Sequence, residues 1–129
     1  MNHREQQPIV YSCSGCSNVA QLTNQLALEL NRLGQAEMSC IAGVGGQVKS
    51  LVRQAKSERP ILALDGCALH CVKQCLNKVQ VTPTLHLTLT DLELKKVKHQ
   101  NFSKQEFEHA YTYVSKKLSS IQSKPQTHF

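Results

Sequence analysis

The sequence predicts an α/β fold in which a small parallel sheet of about four strands lies between helices on both faces, in three layers. Short apolar runs alternate with amphipathic segments in the order β-α-β-α-β-α-β-α, which is typical of parallel sheets with crossover helices. The run at residues 61–64 is continuously apolar, as in a strand covered on both faces. Length and apolar content fit one domain at residues 8–121, with flexible ends at 1–7 and 122–129.

The first half of the chain contains two predicted strands and two predicted helices. Residues 8–12 read as a short buried strand. The next helix begins at Ser17 or Asn18 as N-cap, ends before Gly34, and has one apolar face built from Val19, Leu22, Leu26, Leu30 and Leu33. A second strand at residues 36–42 then leads through a glycine-rich turn at 43–46 to a short helix at 48–55.

The second half repeats this alternation. After the strand at 61–64, a helix is expected from about residue 68 to 77. Leucines alternate with polar residues at 85–90, which predicts a half-exposed edge strand with His86 on its open face. Residues 91–101 are basic and irregular, and a capping box from Ser103 to Glu106 introduces the last helix.

The composition excludes several classes of protein. A formal charge of +6 suits an anionic partner, but the chain has no Trp and only 5% aromatic residues, so a nucleic-acid surface is not expected. The basic cluster at residues 95–99 is therefore interpreted as a solvated face. No apolar stretch is long enough for a membrane partner, and no signal peptide is evident, so a cytoplasmic protein with reduced thiols is expected.

Six cysteines carry the main chemical signal. Five of them lie where predicted strands end, and the carboxyl ends of parallel strands meet at one sheet edge: Cys13, Cys16, Cys40, Cys67 and Cys71. Thiolates in this number suit one tetrahedral zinc ion, with an iron–sulfur cluster as the alternative cofactor. Two thiolates on one ion must approach to about 4 Å, which requires neighbouring strands and therefore predicts the strand order 2-1-3-4.

The spacing of the cysteines supports chelation. Cys13 and Cys16 form a CxxC turn across Gly15, while Cys67 and Cys71 are expected on one helix face. The helix starts predicted at Cys16 and Cys67 favour thiolates there. Cys75 would lie about 12 Å along the axis from Cys67 and is interpreted as a buried structural residue.

Two further features have competing interpretations. Asp65 either orients a metal ligand or acts as a base, or it caps the following helix. The glycines at residues 43–46 resemble a phosphate-binding loop, but the third glycine and a closing Lys-Ser/Thr pair are missing. No nucleotide cofactor is therefore expected, and the glycines are assigned to packing.

The motifs resemble those of the DGC-domain family, small prokaryotic proteins described as zinc-binding and named for an Asp-Gly-Cys motif. The resemblance spans about residues 8–115 and rests on three stretches, at residues 11–18, 38–46 and 65–71. It implies zinc binding by Cys13, Cys40, Cys67 and Cys71, without an established activity. Geometry alone favours Cys16 over Cys40, and the sequence leaves that conflict open.

Two classes of function remain. One is a zinc-binding module in metal handling or sensing, or an accessory module for a protein partner that the sequence does not identify. The other is an enzyme of redox or sulfur-transfer chemistry that uses the Cys13/Cys16 and Cys67/Cys71 thiolates, including a thioredoxin-like dithiol at the CxxC turn. A closed four-sulfur site favours the first class, and an open metal position favours the second.

Overall fold

The computed structural model describes residues 7–122, so the predicted flexible ends lie outside the described residues apart from Gln7 and Gln122. The sheet has four strands: β1 (Ile9–Ser12), β2 (Glu37–Met38), β3 (Ile61–Asp65) and β4 (Leu85–Thr88). All pairings are parallel and the strand order is β2-β1-β3-β4, so the predicted fold class and order are confirmed. β1 and β3 are the central strands, with every residue buried.

In the described part of the chain, five α-helices connect and cover the strands. In chain order they are α1 (Asn18–Arg32), α2 (Ile41–Gly45), α3 (Lys49–Ala55), α4 (Cys71–Lys78) and α5 (Lys104–Gln122), with a 3₁₀ turn at Leu89–Leu92 after β4. Within residues 7–122, no helix combines the length and apolarity that a bilayer crossing requires.

Two apolar clusters form the core, one on each face of the sheet. Alternate residues of a strand point to opposite faces, so Val10 packs with α1 and α5, whereas Ile9 and Tyr11 pack with α2, α3 and α4. The first cluster also contains Leu62, Leu64, Leu26, Leu30, Val114 and Leu118, and the second contains Ala63, Val44, Ala55, Val72 and Leu76. These are the three predicted layers.

The helix ends predicted from local signals are confirmed. Ser17 caps α1 by accepting a hydrogen bond from the amide of Ala20, and Gly34 follows this helix with a positive φ of 73°. At α5, Ser103 Oγ accepts from the Glu106 amide while Glu106 Oε1 accepts from the Ser103 amide, the reciprocal pair of a capping box.

Three predicted boundaries are wrong. β2 has only two residues, and the glycine-rich segment predicted as a turn forms the short helix α2. The helix expected from residue 68 begins at Cys71, because His70 takes the left-handed conformation with φ 53° and ends the preceding turn. Cys71 rather than Cys67 therefore starts that helix, and Cys67 and Cys71 do not share a helix face.

Candidate metal centre

Four of the five candidate cysteines line one small pocket at the carboxyl edge of the two central strands. The pocket has a volume of about 160 Å³, and its sulfur-bearing residues are Cys13, Cys16, Cys67 and Cys71. Cys13 directly follows β1 and Cys67 follows Asp65 at the end of β3. Because β1 and β3 are paired neighbours, the two turns that carry these cysteines emerge side by side. We call this depression the thiol pocket.

Cys13 and Cys67 are half-buried, whereas Cys16 and Cys71 are exposed, and Cys13 has the most contacts described for its sulfur. Its Sγ lies 3.2 Å from the Thr23 hydroxyl and accepts a hydrogen bond from the Gly66 amide at 3.3 Å. Burial raises the pKa of the Cys13 thiol, and these two hydrogen bonds lower it in part. Asp65 and Cys71 act on the same pKa in the raising direction.

The turn at Gly66 joins the β3 end of the pocket to the start of α1. A Cβ atom at this position would lie only 2.9 Å from the backbone carbon of Val19. Glycine is therefore required at residue 66 for this turn and the start of α1 to approach each other. Gly15 in the CxxC turn, by contrast, leaves room for a Cβ, which would lie 3.7 Å from the Cβ of Ala20.

Asp65 is fully buried and holds the start of α4. Its carboxylate accepts hydrogen bonds from the amides of Val72 at 2.8 Å and Lys73 at 3.2 Å. His86 Nε2 lies 2.8 Å from Asp65 Oδ2, and the His86 ring packs edge-on against His70 with 4.9 Å between centroids. The capping interpretation of Asp65 is thus observed, with the imidazole as an added partner.

The predicted exposure of His86 is wrong. The His86 side chain is 18% exposed because its ring reaches across from β4 to the buried carboxylate of Asp65 at the end of β3. The alternating pattern of β4 could not indicate this contact, because the partner lies 21 residues earlier in the chain.

A segment at residues 93–99, which we call the strap, covers the CxxC turn. The Asn18 amide donates to the Val97 carbonyl at 3.0 Å, and the Asn18 side chain bonds both the Lys95 carbonyl and the Val97 amide. The His99 amide donates to the Cys16 carbonyl at 2.7 Å. Through these bonds the strap holds Lys96 and Lys98 at the wall of the thiol pocket, with Lys96 Nζ 3.4 Å from Cys67 Sγ.

Cys40 lies elsewhere. It follows the edge strand β2, caps the five-residue helix α2 through a contact of its Sγ with the Gly43 amide, and lines a separate open depression together with Asn24 and Gln54. Cys75 packs against α2, where a Cβ at Gly45 would be 2.9 Å from its Sγ. Cys75 is half-buried there, and burial raises the pKa of its thiol.

The donors of the thiol pocket suit a soft divalent metal, since four thiols are the ligand set of closed zinc sites. As arranged here, no three Cys, His, Asp or Glu side chains between residues 7 and 122 stand close enough to hold a metal ion. The residues fit zinc in type, and binding requires the four sulfurs to turn toward one another. Cys13 and Cys67 would hold the ion from the two central turns, with Cys16 and Cys71 beside them.

Comparison with known proteins identifies the family. The sequence model of the DGC domain matches residues 9–114, nearly all of the described chain. The protein belongs to the DGC-domain family. It is also 59% identical over 112 residues to the Pseudomonas aeruginosa protein "Anaerobic and virulence modulator AnvM", a match that covers 87% of this chain and 86% of that one. No solved structure matches the chain.

The strap lysines are the part of this DGC-domain site that sequence reasoning missed. The cluster at residues 95–99 was assigned to a solvated face, yet Lys96 is half-buried against Cys67. The one signal in the sequence was Asn18, a polar residue close after the CxxC turn. Because Asn18 is buried in the structure, its side chain needs hydrogen-bond partners, and a distant segment provides them.

Proposed function

We propose that this DGC-domain protein binds one zinc ion in the thiol pocket through Cys13, Cys16, Cys67 and Cys71, and that it acts in metal handling or sensing, or as an accessory module. The observation that carries the proposal is the convergence of these four thiols on one cavity of about 160 Å³. Zinc bound to four thiolates has no open coordination position, so the site would be structural or regulatory rather than catalytic.

The similar protein from Pseudomonas aeruginosa is named as a modulator, which supports a regulatory role over a catalytic one. Metal binding by thiolates suits such a role because it is coupled to protonation and to folding of the turns that carry the ligands. Zinc would tie the turn after β1 to the turn after β3, and its loss would free both turns.

The ligand set is tested by comparing two serine variants. The family resemblance implies Cys40 as a ligand, whereas the pocket geometry favours Cys16, so Cys16→Ser and Cys40→Ser make a matched pair of exposed cysteines. The protein would be purified under reducing conditions and its zinc content and affinity measured with a chromophoric chelator. We expect Cys40→Ser to keep wild-type affinity and Cys16→Ser to lose on the order of tenfold or more. The opposite ranking would refute the four-cysteine pocket as the ligand set.

A thiol enzyme is the second candidate, favoured by one contact. Lys96 Nζ lies 3.4 Å from Cys67 Sγ, and an ammonium group beside a sulfur is typical of reactive cysteines. In this role Cys13/Cys16 and Cys67/Cys71 would act as redox or sulfur-transfer thiolates. A metal-free protein that reduces a small disulfide, with loss of activity in Cys67→Ser, would favour the enzyme over the zinc module.

Iron–sulfur ligation is separated from zinc by elemental analysis. A colourless protein that contains zinc and no inorganic sulfide after anaerobic purification is expected. A brown protein that contains iron and sulfide would mean that an iron–sulfur cluster, rather than zinc, is bound by the same thiols.

A further inference from the structure

The four thiolate ligands of the proposed zinc site leave a negative charge that other groups must balance. Four thiolates around one divalent ion carry a net charge of about −2. Such a charge in a half-buried pocket is costly unless hydrogen-bond donors or cations lie beside it. Within the described residues, the Gly66 amide is the backbone donor found on a pocket sulfur, and it contacts Cys13 at 3.3 Å.

Two cations reach this pocket, and both come from the strap. Lys96 Nζ contacts Cys67 Sγ at 3.4 Å, and Lys98 also lines the cavity. Lys96 is half-buried against Cys67, and the exposed Lys98 lines the rim of the same cavity. The neighbouring Lys95 is exposed and is not part of the pocket wall.

The position of these lysines is fixed by the backbone rather than by chance contact of long side chains. Asn18 is buried, and its side chain donates to the Lys95 carbonyl and accepts from the Val97 amide, so the residues that flank Lys96 are held on the start of α1. Ser17 and Lys98 form an antiparallel bridge, and His99 bonds to Cys16. The turn that carries Cys16 and the strap that carries the lysines are therefore joined by backbone hydrogen bonds.

We propose that Lys96 and Lys98 are positioning residues that balance the charge of the four-thiolate site. They thereby favour binding of a divalent ion, whose complex with four thiolates carries a net charge of about −2. This inference rests on the proposed function. Two ammonium groups cancel the net charge of about −2 on a divalent tetrathiolate. Partners of this kind around a metal site change its affinity by about 10–100-fold. Lys96, which is half-buried, contributes more than the exposed Lys98 because water and salt screen it less.

The test compares zinc affinity in charge-removing and charge-keeping variants. Lys96→Met with Lys98→Met removes both cations while it retains the aliphatic stems, and Lys96→Arg with Lys98→Arg keeps both charges. Lys95→Met is the matched control, since it removes one neighbouring charge that does not face the pocket. Affinity would be measured by chelator competition, with circular dichroism as a check of folding.

We expect the double Met variant to bind zinc about 10–100-fold more weakly, the double Arg variant within about threefold of wild type, and the Lys95→Met control unchanged. The difference between wild type and the double Met variant should shrink between 0.05 and 0.5 M salt, to an extent set mainly by Lys98. A merely structural role of the stems would predict no loss in the Met variant and no dependence on salt.

Failure of this inference is distinguishable from failure of the proposed function. A wild-type protein that binds zinc, with a double Met variant that binds equally well, overturns the charge-balancing role and leaves the zinc site intact. A wild-type protein that binds no zinc overturns both proposals.

Discussion

Cys13 and Cys40 both follow parallel strands of one sheet, yet they lie in surroundings that differ in how the backbone is held. Cys13 follows the central strand β1, and its sulfur is tied to Thr23 and to Gly66 of the neighbouring turn. Cys40 follows the two-residue edge strand β2 and caps a short helix of its own. A common sheet edge is therefore not enough to bring two sulfurs together. The conformation of the segment that follows each strand determines the position of its cysteine.

The largest effect is expected from substitution of Asp65, the buried carboxylate that holds the start of α4 beside the thiol pocket. Asp65→Ala leaves the amides of Val72 and Lys73 and the ring of His86 without their shared acceptor. A loss of about 3–5 kcal/mol in the free energy of unfolding is expected from urea titration. Exposed Asp91→Ala is the control, with a change within about 0.5 kcal/mol. Equal stabilities for the two variants would contradict the assigned role of Asp65.

A smaller loss is expected at the turn that carries Cys67. Gly66→Ala places a Cβ 2.9 Å from the backbone of Val19, so the turn or α1 must shift, at a cost of about 1–3 kcal/mol. Gly15→Ala in the other turn meets its nearest neighbour at 3.7 Å and should cost far less. Thermal unfolding of both variants measures the difference. If Gly15→Ala were the more harmful change, the close contact at Gly66 would not be what joins the two turns.

The strap provides a test of local order on the thiol pocket side. Asn18→Ala removes the side-chain bonds to the Lys95 carbonyl and the Val97 amide. A cost of about 1–3 kcal/mol is expected, together with faster hydrogen exchange of the Val97 amide. Asn24→Ala, on the same helix but lining the Cys40 depression, should leave that exchange unchanged. Slow exchange at Val97 in both variants would mean that Asn18 does not hold the strap.

The smallest effect on the free energy of unfolding, at most a small increase, is expected from Tyr11→Phe on the Cys40 side of the sheet. The Tyr11 hydroxyl is buried and has no hydrogen-bond partner among the described residues. Tyr11→Phe should therefore leave the free energy of unfolding unchanged or raise it by up to about 1 kcal/mol. Burial raises the pKa of this phenol, and the neighbouring Ser39 side chain, although outside hydrogen-bond geometry, lowers it only in part. The folded state therefore holds the proton that the unfolded chain releases above about pH 10.

The wild-type protein should consequently lose stability relative to Tyr11→Phe as the pH rises through that range. Urea titrations at pH 8 and pH 10.5 measure this change. A Tyr11→Phe variant that is less stable at both values would show that the hydroxyl has a partner after all.

The general fold could be predicted from the sequence because its signals are local or repeat along the chain. Apolar runs, the Ser17 cap, Gly34 and the capping box at Ser103 each depend on a few neighbouring residues, and all agree with the structure. The strand order followed from a chemical requirement, namely that the turns after β1 and β3 lie together.

The parts that could not be predicted depend on contacts between distant residues. Asp65 caps α4 from seven residues away and binds His86 from β4, which moves the helix start and buries the imidazole. The strap reaches Asn18 across 77 or more residues. Neither periodicity nor spacing indicates such contacts, so the lysines at the thiol pocket were assigned to solvent. Whether Cys16 or Cys40 lies beside the other three cysteines could not be predicted either, because the sequence did not indicate that β2 has only two residues.

The ligands of the zinc-loaded protein test the central claim most directly. X-ray absorption at the zinc edge counts the sulfur atoms around the metal and measures their distances. We expect four sulfurs at about 2.3 Å and no nitrogen or oxygen ligand, with the spectrum unchanged in Cys40→Ser. A first shell with nitrogen or oxygen ligands, or a sulfur lost in Cys40→Ser, would contradict this claim.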